Sequence, residues 1–470
     1  MSDDGRRWIL PATILGSSLS FIDSSVVNIA LPAIRSDLEA SLPALQWVVN
    51  GYMLTLASLI LLGGSAGDRF GRRRIFLLGL VGFVMASVAC GLAPAVNWLI
   101  GARLVQGIAA ALLTPASLAI IGAAYEGESR GAAIGTWAAA AAITTALGPP
   151  LGGWLVDTVG WRAIFLINVP VGALALFFGL KLPRDRPSAS SDPLDVSGAL
   201  LATFALGSLS YGLVALGDGR QMVGWIGIAA SIPAVVWLLR VEARARAPMM
   251  PLDLFRNRTF AGANALTVVL YAALNGALFL LPFVLVEVHG YSAAAAGAAF
   301  LPFSVIMGAG SRWAGSLASH IGARTQMVLG PAIVALGYVL LGLSSESPSY
   351  LSGVLPGLSI LAAGMTLTIP PLTTTVFDAS PSELSGTASG INNAAARAGG
   401  LIAIAALGLA FGAGGFSNAS ASTILGGYRS VTFTAAVLAA LSALIAASTI
   451  SSTPENEGYP AEDETSRTRG

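Results

Sequence analysis

Fourteen apolar stretches, each close to the roughly 20 residues that an α-helix needs to cross a hydrocarbon core, follow one another along the 470-residue chain with short polar segments between them. The pattern predicts spans over Ile9–Pro32, Leu45–Gly67, Ile75–Leu92, Trp98–Gly122, Ala132–Val156 and Ile164–Leu182, then Val196–Leu216 and Val223–Leu239. Six more are predicted over Phe260–Val286, Ala293–Trp313, Met327–Leu343, Leu351–Thr374, Gly386–Phe411 and Val431–Ile450. Two connectors, "KLPRDRPSASSDPLD" and "RVEARARAPMMPLDLFRNR", are rich in charge and proline, as solvent-facing links are. They divide the spans into six, two and six. The expected organisation is an N-terminal six-helix unit over 1–182, a linker with two extra transmembrane helices over 183–258, a C-terminal six-helix unit over 259–450, and a polar tail over 451–470.

The distribution of basic residues orients these spans, because cytoplasmic loops carry an excess of Lys and Arg. Of the 25 Lys and Arg, only Arg35, Arg162, Arg220 and Arg429 fall in loops assigned to the outside, and Arg103, Arg312 and Arg397 fall within spans. The remaining eighteen fall on the cytoplasmic side if the N-terminus lies there. Both termini are therefore expected in the cytoplasm, and the location is the cell inner (plasma) membrane.

Composition narrows the function. Hydrophobic residues make up 55% of the chain and charged residues 10%, against about 25% charged in a soluble domain; mean hydropathy is +0.75. This is an all-α integral membrane protein. The net charge of +1, without a basic tract, excludes a nucleic-acid partner. One cysteine, Cys90, excludes a disulfide framework, and the two histidines, His289 and His320, stand far apart. No metal or other cofactor is expected. No protein partner is evident, and an enzyme would need His, Asp or Glu clustered at one depth, which the spans lack.

Several motifs carry more specific information. Between the second and third spans lies "GSAGDRFGRRR", in which Gly64 and Gly67 are expected to admit a close neighbour, Asp68, Arg69 and Arg72 form a basic turn, and Gly71 gives that turn its freedom. The fourth span carries "RLVQGIAAALLTP", which places Arg103, Gln106, Gly107, Ala110 and Thr114 on one helix face. The fifth carries "TTALGPPLGG", where Pro149 and Pro150 remove backbone donors and Gly148, Gly152 and Gly153 leave room for another helix. These segments resemble motifs A, B and C of the major facilitator superfamily. With "FIDSSVVNIALP" and "GWRAIFLINVPVG", they are similar to its fourteen-span drug:proton antiporters, the EmrB/QacA group. A later segment, "GSLASHIGARTQ", echoes motif A with Ser319 in place of its aspartate.

The resemblance implies two six-helix bundles related by an axis along the membrane normal, plus two extra helices, with a substrate cavity between the bundles near the midplane. It implies that the motif A aspartate, Asp68, gates the cytoplasmic side by docking on the N-terminal end of the thirteenth span. It also implies a proton-driven efflux antiporter for amphipathic small molecules.

Asp23 stands out on physical grounds alone. A charged residue at the bilayer centre costs about 2.5–3.5 kcal/mol on insertion scales and is retained where it faces a wet cavity or a partner. On a helical wheel Asp23 shares an arc of about 140° with Ser17, Ser20, Ser24 and Asn28. Counting about 1.5 Å per residue, it lies roughly 21 Å from the cytoplasmic start of its span, and Arg103 lies roughly 8 Å from the outer start of its own. In a core about 30 Å thick these depths nearly meet. The resemblance to the antiporters implies reading the two as a proton-coupling pair in which Arg103 competes with the proton for Asp23 in one conformation and yields in another. A static packing pair is the alternative.

Arg397 lies about 16 Å deep, and its sequence reading favours helix packing through backbone carbonyls over substrate contact. Asn28, Asn50, Gln106, Asn275, Asn393 and Arg397 are candidate cavity-lining residues, several of them equally suited to inter-helix hydrogen bonds. With one deep carboxylate against two guanidiniums, the expected substrates are neutral, zwitterionic or monovalent amphipaths. The partners are then such a solute, protons and membrane lipid. A dedicated exporter, or a proton-linked importer of a single metabolite, remains the alternative on the same fold.

Overall fold

The computed structural model describes residues 6–183, 194–245, 248–411 and 420–451. The basic residues Arg184, Arg186, Arg246, Arg467 and Arg469, most of the first connector, the tail from 452 and the side chain of Ser319 lie outside the described residues.

Among the described residues the secondary structure is entirely helical. In chain order the helices are α1 Ile9–Asp37, α2 Leu42–Phe70, α3 Arg72–Gly91, α4 Val96–Ala124, α5 Gly127–Thr158, α6 Ala163–Gly179, α7 Val196–Gly217 and α8 Gln221–Glu242. Then come α9 Arg258–Phe283, α10 Ala293–Ala318, α11 Ala323–Leu343, α12 Tyr350–Asp378, α13 Ser385–Ala410 and α14 Ala421–Thr449. Thirteen are long and apolar enough to cross a membrane, and α6 is a shorter apolar helix where the sixth span was expected.

Most helices run beyond the apolar stretches that announced them. Polar caps set several starts, because the first N–H groups of a helix lack partners within it. Ser41 Oγ accepts from the Ala44 amide before α2, Asn257 Oδ1 from Thr259 and Phe260 before α9, and Ser420 Oγ from Thr423 before α14. The last of these starts α14 ten residues ahead of the expected Val431. The sixth span departs in the other direction. It breaks at Ile167 into Ala163–Leu166 and Asn168–Gly179, where Pro170 offers no N–H to the Leu166 carbonyl, and it ends at Gly179 instead of Leu182.

Gly71 turns the chain between α2 and α3 at φ 97°, as the motif A reading required, and Gly322 repeats that turn between α10 and α11 at φ 83°. The expected close approach at Gly64 and Gly67 is not found. A Cβ on Gly64 would meet Pro115 at an ordinary 3.8 Å, and one on Gly67 only Arg72. The tight contact belongs to Gly63, where a Cβ would come within 2.0 Å of the Ala111 carbonyl oxygen on α4. One residue along a helix is a rotation of about 100°, so the close-packed face is the neighbouring one.

Helices α1 to α6 pack mainly on one another, with α2 and α3 on α4 and α1 on α5 and α6; α9 to α14 do likewise, with α11 on α12 and α14 and α9 on α13 and α14. Two large contacts join the sets, α5 against the start of α10 and α2 against α13, with smaller ones from α1 to α9 and to the start of α10. The hairpin α7–α8 lies against this second seam. Thr203 on α7 donates to Ser58 on α2 at 2.8 Å, and Gly217 meets the backbone of Gly408 at the end of α13.

The two ends of the molecule differ. At the end bearing Asp37, Asp157 and Glu287, one apolar core runs continuously through both sets, from Val26–Ile34 and Leu45–Val49 to Phe279–Leu285 and Ile404–Leu407. At the other end the first set has a core of its own, built on Ile9, Ile60, Phe76 and Ile120. There Gly131 and Gly135 on α5 and Gly308 and Gly315 on α10 face open space.

Candidate functional site

Asp23 and Arg103 meet. Arg103 Nη1 lies 2.5 Å from Asp23 Oδ2, with the carboxylate 0% and the guanidinium 1% exposed. Gln106, one turn along α4 from Arg103, donates from Nε2 to Asp23 Oδ1 at 2.9 Å and to Ser87 Oγ on α3 at 2.8 Å, and accepts from Arg103 at 2.7 Å. Asn168 on α6 also donates to Ser87, at 3.1 Å. Arg103 Nε donates to the Val48 carbonyl at 3.0 Å, and its guanidinium stacks 4.3 Å from the centre of the Tyr52 ring. Five helices thus converge on one carboxylate. Burial of an ion pair costs several kcal/mol per ion unless its remaining donors and acceptors are satisfied, and here each carboxylate oxygen has a partner. Gln106, expected on a cavity wall, is a full member of this closed network.

The polar stripe around Asp23 is divided among neighbours. Ser17 accepts from Trp137 Nε1 on α5 at 3.0 Å, and Ser20 shares a 2.7 Å bond with the Tyr52 hydroxyl. Ser24 remains exposed beside the sealed acid, and Asn28 is half-buried. In this state the carboxylate is closed to solvent while the next residue is open to it.

Motif C forms a joint. On α5, a Cβ at Gly148 or Gly152 would strike Ser25 or Val26 of α1 at 1.8 and 2.3 Å. A Cβ at Gly153 would come within 2.1 Å of the Ala293 carbonyl oxygen on α10, and one at Gly297 of α10 within 2.2 Å of the Pro149 oxygen. The glycines therefore seat α5 against α1 on one side and against the other helix set on the other. Asp157 completes the joint by accepting from the Ala293 and Ala294 amides at 3.1 and 2.8 Å, an acid cap on the start of α10. Arg35 and Glu287 pair across the sets at 2.6 Å, and Gln46 on α2 donates to the Ile404 carbonyl on α13 at 2.5 Å. The sequence reading missed Asp157, Glu287 and Gln46. Acids at span ends read as ordinary interfacial charge, and only the packing reveals what they face.

At the opposite end no such stitching, by cross-set hydrogen bond or ion pair, is found among the described residues. Asp68 is exposed and held by Arg72, four residues on, at 2.8 Å, rather than by the start of α13. Arg69 lies beside the Phe70 ring. The expected docking of Asp68 on the thirteenth span is absent from this conformation.

Of the other candidates, Asn275 bonds the Tyr271 carbonyl at 2.9 Å and packs where Gly400 of α13 passes, and exposed Asn393 bonds the Ser389 carbonyl at 3.0 Å. Asn393 lines a cavity of about 110 Å³ with Tyr271, Thr373, Phe377, Ser389 and Asn392. Arg397, one turn further along α13, makes no hydrogen bond or ion pair to any described residue, and its Nε is buried without a partner. The backbone-bonded packing role expected of it is not what the structure has.

Asn50 is also buried with neither amide atom partnered. An unsatisfied buried polar group costs about 1–3 kcal/mol. Asn50→Leu, close in volume, is therefore expected to raise the thermal unfolding midpoint of the detergent-purified protein by about 2–4 °C per kcal/mol recovered; a lowered midpoint would contradict this.

Residues 13–404 match the model of the Major Facilitator Superfamily. The chain is 39% identical over 409 residues to the multidrug resistance protein Stp of Mycobacterium tuberculosis, covering 85% of this chain and 74% of that one. It is 36% identical over 413 residues to the tetracenomycin C resistance and export protein of Streptomyces glaucescens, covering 86% and 76%. In three dimensions it is similar to a bacterial homologue of the human lysosomal transporter Spinster in an inward-facing, unoccupied conformation, with TM-score 0.70, 19% identity and 95% and 97% of the chains covered. A multi-pass helical membrane protein with this match over most of its length is a transporter, and the chain belongs to the Major Facilitator Superfamily.

Proposed function

We propose that the protein is a proton-coupled antiporter of the fourteen-span drug-export type, which expels amphipathic small molecules by alternating access. Helices α1–α6 and α9–α14 act as two six-helix bundles over 1–182 and 259–450, with α7–α8 as the extra pair and both termini in the cytoplasm. In that orientation the stitched end is the outside and the structure is an inward-open state. The undocked Asp68 fits this reading, since its contact with α13 would belong to the state closed on the cytoplasmic side.

The observation that carries the proposal is the sealed Asp23–Arg103–Gln106 network beside exposed Ser24. With the outside closed, Arg103 and Gln106 take up both carboxylate oxygens, and the proton the acid carried in the other state leaves toward the cytoplasm. When the outer seam opens, water reaches the acid, a proton neutralises it, and Arg103 is released. The relatives named for multidrug resistance and for tetracenomycin C export support an outward direction. One proton moving inward down 100 mV releases about 2.3 kcal/mol, enough to hold a neutral solute at a gradient of roughly 50-fold at about 1.4 kcal/mol per decade. The cycle uses the proton gradient and no cofactor.

Counterflow in oriented proteoliposomes tests direction. An inward proton gradient is expected to drive a loaded lipophilic dye out, and an ionophore to stop it. Accumulation of the solute under the same gradient would make the protein an importer.

A further inference from the structure

Arg397 is the half-buried cation at membrane depth that the mechanism above does not use. Asp23 and Arg103 neutralise each other inside the first helix set, so the charge of Arg397 stands uncompensated at membrane depth. The side chain lies at the seam between the sets, and the groups within its electrostatic reach are the hydroxyls of Tyr52 on α2 and Tyr271 on α9, with no described carboxylate acting on it. Its Nε is buried without an acceptor, while the residue as a whole retains partial exposure.

A small cavity lies beside it, with the adjacent Ala396 in its wall. Towards the open end, Tyr271 and Asn393 line the cavity of about 110 Å³. Towards the closed end, Gly400 one turn on is blocked by Met53 of α2 and the Asn275 amide, at 2.7 and 2.8 Å from a Cβ built there. A guanidinium presents several donors in a planar fork that fits a carboxylate, and an intramembrane charge without a protein counter-ion marks a binding position.

Resting on the reading of the chain as an exporter, we propose that Arg397 is the docking point for a single negative charge on the transported solute, so that the site takes amphipathic monoanions, a carboxylate or ionised phenol on an apolar or aromatic body. Tyr52 then links the two sites. One face of its ring carries Arg103 of the coupling network, its hydroxyl is bonded to Ser20, and it is one of the two tyrosines within reach of Arg397.

Equilibrium dialysis of the full-length protein in neutral-lipid nanodiscs, with no gradient, tests this against naphthylacetate, its methyl ester and a naphthyl trimethylammonium of similar size. The wild type is expected to bind the anion at least about tenfold tighter than the ester or the cation, the energy of one charge-assisted contact. Arg397→Gln is expected to bring the anion down to the ester, and Arg397→Lys to keep part of the preference. On the unmutated chain, naphthylacetate but not the ester is expected to protect Arg397 from phenylglyoxal labelling read by peptide mass spectrometry. The proposal is overturned by no saturable anion binding to the wild type, by an anion preference that survives in Arg397→Gln, or by no protection of Arg397. Because no gradient is applied, a failure of proton coupling would leave these results intact, and gradient-driven export of the neutral ester would survive a failure here.

Discussion

Gradient-driven efflux falls to the level of ionophore-treated vesicles when Asp23 is replaced by asparagine: this is the expected result with the largest effect. Asparagine keeps the shape of the side chain and cannot release a proton. The replacement also leaves Arg103 buried without its counter-charge, and breaking a buried pair from one side costs about 3–5 kcal/mol. Poor expression of the single variant would therefore be ambiguous. The double variant Asp23→Asn/Arg103→Gln removes both charges and is expected to recover folding, seen as a monodisperse gel-filtration peak and restored melting, but not coupling. In an efflux-deficient host carrying either variant, a drug-susceptibility panel should match the empty vector. If the double variant pumps against a gradient as the wild type does, Asp23 is not the proton carrier.

The second large effect is expected at the joint between α5 and α10. Gly153→Val places a branched side chain where a bare Cβ already lies 2.1 Å from the Ala293 carbonyl oxygen. Overpacking of this kind costs about 1–3 kcal/mol or more, and a two-state equilibrium responds to such a bias with a shift of roughly 5- to 150-fold. The outer end should stay open. Transport should fall at least about tenfold, and a cysteine introduced at Ala294, beneath the Asp157 cap, should label faster from outside with a membrane-impermeant thiol reagent. Unchanged labelling with unchanged transport would mean that this contact does not hold the outer end shut.

What the sequence made legible follows from which physical signals are local. Apolar stretches of the right length gave the order and the number of helices, because the bilayer imposes a length that periodicity does not blur. Asp23 was legible because an acid inside such a stretch is costly, and Arg103 because depth along two helices is simple counting. Ser87 and Asn168 were not, since small polar residues in spans are common and only packing shows that Ser87 meets the glutamine and Asn168 meets Ser87. The cap of Asp157 on α10 was hidden for a related reason: the partner is a backbone amide 136 residues away. The glycine pattern of motif A pointed to the right helix and the wrong face, since Gly63 rather than Gly64 meets α4. Arg397 was misjudged because an arginine at membrane depth ordinarily finds carbonyls, and nothing local reveals that this one has none.

The flanks of the molecule are unequal. The α7–α8 hairpin covers the seam of α2 with α13, whereas no described residue covers the opposite side, where α5 and α10 part beyond their joint and Gly131, Gly135, Gly308 and Gly315 look onto empty space. A lipophilic solute dissolved in the inner leaflet is far more concentrated there than in the cytosol. On the proposed function it meets a wall on one flank and a slot on the other, so loading from the side is expected, and the apparent affinity for a compound should then track how strongly that compound partitions into lipid.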